Sequence, residues 1–220
     1  MILSKMNLSS YPHFQTLPVN ISGHSIQLYL TDPSKFTDKF DLYNSLLNRS
    51  ELQRSAKFLF DKDRIRYILC RGMLRELLGS LTETQARKIT FSFGEKGKPY
   101  ILEPDNTSKI FFNVSHSDDF FIIAVSMDAE VGVDIEKIRN GRKMEDIILR
   151  FGDEEAKIRY STLRGEERLE YFYKWFTRKE AQGKALGVGL KIFSMDEPGL
   201  PETKSFRFAE YYVSVAVSNC

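Results

Sequence analysis

The residues best suited to carry chemistry in this chain lie at the end of a short apolar segment, Val131 to Glu136. Asp134 and Glu136 are separated by one residue. Because side chains alternate along a strand, an extended segment here places both carboxylates on one face. A hard cation such as Mg²⁺ takes one or two protein carboxylates and leaves room for substrate phosphates. The spacing therefore suits a magnesium site, although a solvated strand edge can carry the same pair.

A second charged pair lies in a long helix that we predict from Glu166 to about Leu186. Glu180 and Lys184 are four residues apart, so they share one face of that helix. Such a pair can be an ordinary surface ion pair, which stabilises a helix by only about 0.2–0.5 kcal/mol. Trp175 and Phe176 indicate instead that this part of the helix packs inward. A carboxylate and an amine close to a core favour a functional site.

Basic residues are concentrated between positions 49 and 75, although the chain as a whole is nearly neutral. The 32 basic and 30 acidic residues leave a net charge of +2, which is too small to indicate nucleic acid as the partner. The cluster is either a phosphate-facing surface or a solvated helix face. Its members are Arg49, Arg54, Lys57, Lys62, Arg64, Arg66, Arg71 and Arg75.

Two further segments have residue types that suit phosphate binding, and each signal is weak alone. In the turn Gly94 to Pro99, glycines would let backbone N–H groups approach a phosphate, and Lys98 would add positive charge. The second segment, Asn113 to Ser117, reads Asn-Val-Ser-His-Ser and lies at the end of a predicted strand.

The pattern of apolar residues predicts an α+β fold. A polar break at Pro104 to Ser108 divides the chain into an N-terminal α+β half, 1–108, and a C-terminal α+β half, 109–220. Ser50 to Gln53 has the spacing of a capping box that starts a helix toward Phe60, and a second helix is predicted from about Lys62 to a stop at Gly79. We also predict helices at 144–150 and 153–163. Extended structure resumes at 100–101 after the turn. The predicted strands are 26–30, 89–93, 110–117, 120–126, 131–136, 206–208 and 211–217, and those at 110–117, 120–126 and 131–136 form an antiparallel meander.

The composition, 42% hydrophobic and 28% charged, is typical of a folded soluble protein. No apolar run approaches the length of a membrane span, and the first 14 residues lack the apolar core of a secretory signal. Two cysteines form neither a disulfide framework nor a zinc spacing. These features predict a cytoplasmic protein with no membrane or nucleic-acid partner.

The segments Gly132 to Glu136 and Phe176 to Lys184 together resemble the two signature motifs of the Sfp-type 4′-phosphopantetheinyl transferases. Gly97 to Pro99 and Asn113 to Ser117 also match that family, in the same order along the chain. Four ordered matches are far more specific than any one of them. The resemblance covers about residues 50–190.

The resemblance implies two similar α+β halves related by pseudo-twofold symmetry, with the active site at their interface and a monomer forming the whole site. It also implies a reaction. Members of the family transfer the phosphopantetheine arm of coenzyme A to a serine of an apo acyl or peptidyl carrier protein, releasing 3′,5′-ADP, with Mg²⁺ required.

Carried over residue by residue, the resemblance implies that Asp134, Glu136 and Glu180 ligate Mg²⁺ in the C-terminal half. Glu180, Lys184 and Asp134 would be catalytic, with Glu180 taking the serine proton and Lys184 assisting the departing oxygen. The residues implied to bind coenzyme A are Arg54, Arg66, Gly97, Lys98, Pro99, Asn113, Ser115, His116 and Lys184. The chain departs from the family pattern at Phe176, where tryptophan is frequent, and at Gln182-Gly183, which replaces bulkier residues.

Three other functions are compatible with some of these residues. A Ser-His-Asp hydrolase could use Ser115 and His116 with Asp118 or Asp119, but adjacent residues of a strand point to opposite faces and no G-x-S-x-G elbow is present. A metal-dependent nuclease would use the same carboxylates, with the basic helices on its substrate. A coenzyme A-binding protein without activity would not need the three carboxylates.

Overall fold

The structure is a computed structural model that describes residues 13–102, 109–141, 143–195 and 199–218. The predicted boundary between the two halves, Pro104 to Ser108, lies outside the described residues. The first residues, in which we expect no secretory signal, lie mostly outside them as well.

Six α-helices are present in the described part of the chain, and short 3₁₀ helices occur at Pro33–Lys39, Ala86–Lys88 and Gly189–Ser194. The α-helices are α1 Phe40–Leu46, α2 Arg49–Ser55, α3 Asp61–Leu81, α4 Lys143–Phe151, α5 Glu154–Thr162 and α6 Gly165–Leu186. Helices α4, α5 and α6 confirm the three helices predicted after position 140. None of the described helices combines the length and the apolar character that crossing a bilayer requires.

Within the described ranges nine strands form three sheets, so the predicted α+β class is confirmed. The strands are β1 Gln15–Ile21, β2 His24–Thr31, β3 Phe91–Phe93, β4 Pro99–Ile101, β5 Phe111–Ser117, β6 Phe120–Ser126, β7 Glu130–Lys137, β8 Glu202–Phe208 and β9 Tyr211–Ser218. The four-stranded sheet has the order β1-β2-β6-β5, the three-stranded sheet β7-β9-β8, and β3 pairs with β4. Strand β1 was not predicted.

The predicted meander of β5, β6 and β7 is wrong at its third strand. Strand β5 pairs with β6, but β7 pairs antiparallel with β9, so that Asp134 faces Ser214. Strand β7 therefore belongs to a second sheet. This sheet packs on the first, because Val131, Val133 and Ile135 of β7 join the apolar core that β2 and β6 also line. Strand β2 pairs with β6, which lies beyond position 108, and β1 joins the same sheet through β2. The two similar halves with boundaries 1–108 and 109–220 stay a prediction.

Two apolar cores position the helices that concern the site. Helix α3 packs on the four-stranded sheet and buries Ile68, Leu69, Met73 and Leu77. Helix α6 lies against β7 and β9. A Cβ atom at Gly132 of β7 would lie only 2.0 Å from the carbonyl oxygen of Ala181 and 2.4 Å from the nitrogen of Ala185. The helix backbone therefore crosses β7 at a position that only glycine can occupy.

Two local predictions are wrong in detail. The capping box is formed by Asn48 and Glu51, not by Ser50 and Gln53. The Asn48 side chain accepts from Glu51 N–H, and the Glu51 carboxylate accepts from Asn48 N–H, each at 2.9 Å. Gly79 does not stop α3, which continues to Leu81; its missing side chain admits the carbonyl of Thr84, 2.7 Å from where a Cβ would lie.

Two arginines of the basic cluster, Arg71 and Arg75, stabilise the fold. Arg75 is fully buried, and its Nε donates to Glu51 at 2.7 Å. Arg71 donates to the other oxygen of Glu51 at 2.6 Å. Because a buried carboxylate needs such partners, these two arginines tie α3 to α2 and are not a phosphate-facing surface.

Candidate active site

Asp134 and Glu136 lie on the face of β7 that meets helix α6, as the alternation of the strand predicts. Val133 and Ile135, between and beside them, point into the core shared by the two sheets. Asp134 is only 3% exposed, so its carboxylate lies beneath the helix and not at a solvated edge.

Helix α6 brings Glu180 and Lys184 to this pair. The ammonium of Lys184 donates to Asp134 Oδ1 at 2.6 Å, to Ser115 Oγ at 3.0 Å and to the carbonyl of Val133 at 3.1 Å. Because Gly132 allows the helix backbone to approach the strand closely, a lysine one turn from Glu180 can reach the strand backbone itself. The two predicted charged pairs thus form one cluster.

Three acidic side chains in this cluster repel each other. Burial and the neighbouring Asp134 carboxylate raise the pKa of Glu136 to about 7. Burial and Asp134 also raise the pKa of Glu180. A single ammonium, that of Lys184, partly offsets this repulsion. The site therefore has a deficit of positive charge that a cation would relieve.

The donor set fits a hard divalent cation. Asp134 Oδ2 is buried and has no hydrogen-bond partner among the residues that the structure describes, whereas Oδ1 is engaged by Ser115 and Lys184. Buried carboxylate oxygens are normally paired or bound to metal, and Mg²⁺ prefers carboxylate oxygens. In the side-chain positions of the structure, no group of three His, Cys, Asp or Glu residues among those it describes is arranged to hold a metal ion.

Strand β5 contributes side chains of alternating direction to the site. Asn113 and Ser115 are buried and face β7, where Ser115 Oγ donates to Asp134 Oδ1 at 2.9 Å. His116 is on the opposite face and exposed; partial desolvation and the nearby Arg66 lower the pKa of its imidazole. The side chains of Ser115 and His116 therefore point in opposite directions, as we expected, and this argues against a Ser-His-Asp hydrolase triad. Ser117 also faces the carboxylates, a role that we did not predict although it continues the same alternation.

Two of the cations predicted to bind phosphate, Arg54 and Arg66, lie on α2 and α3. Arg66 is near His116 and donates to Asp63 at 3.3 Å and to the carbonyl of Asp118 at 3.4 Å. The guanidinium of Arg54 lies over the ring of Tyr67, 5.7 Å from its centroid. A cavity of about 610 Å³ opens beside Arg66, between α3 and the β5–β6 turn. Its lining includes Lys62, Ile65, Arg66, Asp118, Asp119 and Arg139.

Lys98 lies apart from the carboxylate cluster, at the other end of β7. Its ammonium pairs with Glu130 at 2.5 Å and donates to the carbonyl of Ala185 at 2.8 Å. Gly97 has a φ of +83°, which glycine adopts without strain, and Pro99 starts β4. A second cavity, about 570 Å³, is bordered by this turn, the start of β5 and the end of α6.

Comparisons with known protein families identify both parts of the chain. Residues 32–128 match the family described as 4′-phosphopantetheinyl transferase, N-terminal. Residues 130–212 match the 4′-phosphopantetheinyl transferase superfamily. The second match contains Asp134, Glu136, Glu180 and Lys184, and the first contains Arg54, Lys98 and the β5 segment.

Several curated proteins are similar over most of the chain. The 4′-phosphopantetheinyl transferase HetI of Nostoc sp. is 30% identical over 158 residues, which cover 72% of this chain and 67% of HetI. AcpT of Escherichia coli, also named a 4′-phosphopantetheinyl transferase, is 32% identical, covering 71% of this chain and 70% of AcpT. The 4′-phosphopantetheinyl transferase gsp of Aneurinibacillus migulanus is 28% identical, covering 70% of this chain and 61% of gsp.

Proposed function

The chain belongs to the 4′-phosphopantetheinyl transferase superfamily, and we propose from this premise that it transfers the phosphopantetheine arm of coenzyme A to a serine of an apo acyl or peptidyl carrier protein. The second product is 3′,5′-ADP. The observation that carries the proposal is the cluster in which Lys184 of α6 contacts Asp134 of β7, with Glu136 and Glu180 beside it.

We propose that Asp134, Glu136 and Glu180 hold Mg²⁺. The raised pKa values of Glu136 and Glu180 fit a cation, and so does the buried Asp134 Oδ2, which has no hydrogen-bond partner among the described residues. When bound, Mg²⁺ would polarise the phosphoryl group and neutralise the charge of the leaving phosphate. The protein itself has little covalent chemistry to perform in phosphoryl transfer, so it acts by positioning and electrostatics.

The serine hydroxyl of the carrier attacks the phosphorus that bears pantetheine, and the bond from that phosphorus to the oxygen of the leaving 3′,5′-ADP breaks. Glu180 accepts the serine proton, for which a carboxylate with a raised pKa is a better base than an ordinary one. Lys184 turns from Asp134 toward the leaving oxygen and stabilises its negative charge.

Coenzyme A phosphates would be bound by the cations outside the carboxylate cluster. The proposed cationic ligands are Arg54, Arg66 and Lys98, with Gly97 and Pro99 beside Lys98. His116 is the proposed hydrogen-bonding ligand beside Arg66. Asn113 and Ser115 are buried against β7, so we propose that they support this site from beneath. A monomer suffices, because one chain carries both matched family regions, and we expect it in the cytoplasm.

The test is to incubate the protein with coenzyme A, Mg²⁺ and an apo carrier protein, and to weigh the carrier by intact-protein mass spectrometry. We expect the carrier to gain one phosphopantetheine, and to gain none when EDTA is present or when its serine is replaced by alanine. If several apo carriers stay unmodified while the protein cleaves nucleic acid with Mg²⁺, the alternative of a metal-dependent nuclease is correct.

A further inference from the structure

Strands β5 and β7 lie side by side although they belong to different sheets. Each is the last strand of its sheet, so the backbone groups along its free edge need partners other than a neighbouring strand of that sheet. Polar side chains at every second position of β5 provide these partners to β7. These side chains are Asn113, Ser115 and Ser117.

Asn113 fixes the alignment of β5 and β7. Asn113 Oδ1 accepts the backbone N–H of Val133 at 3.1 Å, and Asn113 is only 4% exposed. A buried N–H without an acceptor is costly, so a shift of β7 along β5 would break this bond. The position of the residues that follow Val133 is thereby set relative to β5.

Ser115 and Ser117 hydrogen-bond the carboxylates of Asp134 and Glu136. Ser115 Oγ donates to Asp134 Oδ1 and accepts from Lys184, as described above. Ser117 Oγ accepts the backbone N–H of Lys137 at 3.1 Å and donates to Glu136 Oε2 at 3.0 Å. A serine hydroxyl has one hydrogen. Because the N–H of Lys137 occupies an acceptor site of Ser117, that hydrogen is directed at Glu136.

We propose that Ser117 is a positioning residue, which holds the Glu136 carboxylate beside Asp134 in the orientation that a divalent cation requires. The inference rests on the proposed function in naming Mg²⁺ as that cation. Side chains that hydrogen-bond a metal-ligating carboxylate typically contribute about 10–100-fold to metal affinity. Of these three side chains, Ser117 contacts Glu136, and it contacts no other carboxylate among the residues that the structure describes.

The direct test is calorimetric titration of Mg²⁺ into the full chain, with and without coenzyme A and in the absence of any carrier, so that no turnover occurs. We expect Ser117→Ala to bind Mg²⁺ about tenfold more weakly than the wild type, and Ser117→Thr, which keeps the hydroxyl, to restore the affinity. The matched control is Ser126→Ala. Ser126 also donates to a carboxylate, that of Asp128 at 2.9 Å, at the far end of β6, and its replacement should leave Mg²⁺ affinity unchanged.

A double-mutant cycle separates positioning from a general loss of structure. If Ser117 acts through Glu136, adding Ser117→Ala to Glu136→Gln should cause no further loss of Mg²⁺ affinity. In the transfer reaction, Ser117→Ala should raise the apparent KM for Mg²⁺, with kcat recovering at saturating Mg²⁺. Thermal unfolding of each variant shows whether it is folded under the assay conditions.

Wild-type Mg²⁺ affinity in Ser117→Ala, additive losses in the double mutant, or no Mg²⁺ binding by the wild type would each overturn the inference. A wild type that binds Mg²⁺ with the expected dependence on Ser117, but modifies no carrier, would contradict the proposed function and leave the inference in place. The two failures are therefore distinguishable.

Discussion

At the scale of single residues, Lys184 places its positive charge beside the carboxylates of Asp134, Glu136 and Glu180. Its ammonium lies 2.6 Å from Asp134 Oδ1, while Asp134 Oδ2 is buried and accepts no hydrogen bond from the described part of the chain. The lysine thus neutralises one oxygen of the carboxylate, and the other oxygen is left for a cation. Lys184 and Mg²⁺ would compete for the charge of the same side chain.

Replacing Lys184 by methionine should therefore tighten Mg²⁺ binding in the absence of coenzyme A. A hydrogen bond between charged groups contributes about 1.5–3 kcal/mol, so its removal should change the affinity by about tenfold or more. Transfer to a carrier should fall at the same time, because the leaving oxygen loses its cation. Calorimetry would measure the affinity, and Lys184→Arg, which keeps the charge, is the control. Equal or weaker Mg²⁺ binding in Lys184→Met would contradict the competition.

Glu136 should make the metal-free protein less stable as pH rises. Burial and Asp134 raise the pKa of Glu136 from 4.5 to about 7 in the folded state. The folded state therefore binds this proton more tightly than the unfolded chain, and the resulting stability is present below about pH 4.5 and lost as pH rises through about 7. Melting temperatures in EDTA between about pH 5 and 8 should fall, and less steeply in Glu136→Gln. Identical slopes in the two proteins would count against the raised pKa.

At the scale of secondary structure elements, the site depends on the close crossing of α6 over β7 at Gly132. An alanine there would place its Cβ 2.0 Å from the carbonyl oxygen of Ala181, a backbone atom that cannot move without the helix. Gly132→Ala should reduce the free energy of unfolding by about 1–3 kcal/mol or more and displace Glu180 and Lys184 from Asp134. Chemical denaturation would measure the loss. Gly141→Ala, whose Cβ would meet no atom of the described residues within 4 Å, should be nearly neutral. Equal effects at both positions would contradict the close crossing as the cause.

Elements with a strong local pattern could be predicted, and those defined by distant partners could not. Helices α4 to α6 follow from the spacing of their apolar residues, and so does the shared face of Asp134 and Glu136. The partner of β7 is β9, about 80 positions away in the chain, and alternation within a strand does not identify its neighbour. The position of the capping box was wrong because Ser50 and Asn48 are both good caps. Tertiary contacts select Asn48: its partner in the box, Glu51, also binds Arg71 and Arg75.

At the scale of the whole molecule, Lys98 connects segments that the linear chain keeps far apart. It joins the β3–β4 turn to Glu130 at the start of β7 and to Ala185 near the end of α6. The turn was predictable from its glycines, but these two contacts were not, because nothing in the local sequence specifies them. The Glu130 carboxylate neutralises part of the charge that Lys98 would offer to a phosphate of coenzyme A, as proposed, so the two anions would compete for Lys98.

Two substitutions test that competition. Glu130→Gln should release Lys98 and lower the KM for coenzyme A, whereas Lys98→Met should raise it, because the cation itself is removed. Steady-state kinetics and calorimetry with coenzyme A would measure both effects. If both variants melt at lower temperature while the KM stays unchanged, Lys98 only fastens the turn to α6 and is not a phosphate ligand.

We propose that the carboxylate cluster between β7 and α6 carries phosphopantetheine transfer by the whole molecule. The most direct measurement is the rate at which Asp134→Asn modifies an apo carrier, compared with Asp128→Asn. Asp128 likewise accepts from a serine, and it pairs with His24 at the far end of β6. We predict that Asp134→Asn remains folded and loses about a hundredfold or more in rate, while Asp128→Asn transfers as the wild type does. A folded Asp134→Asn that modifies the carrier at the wild-type rate would contradict the claim.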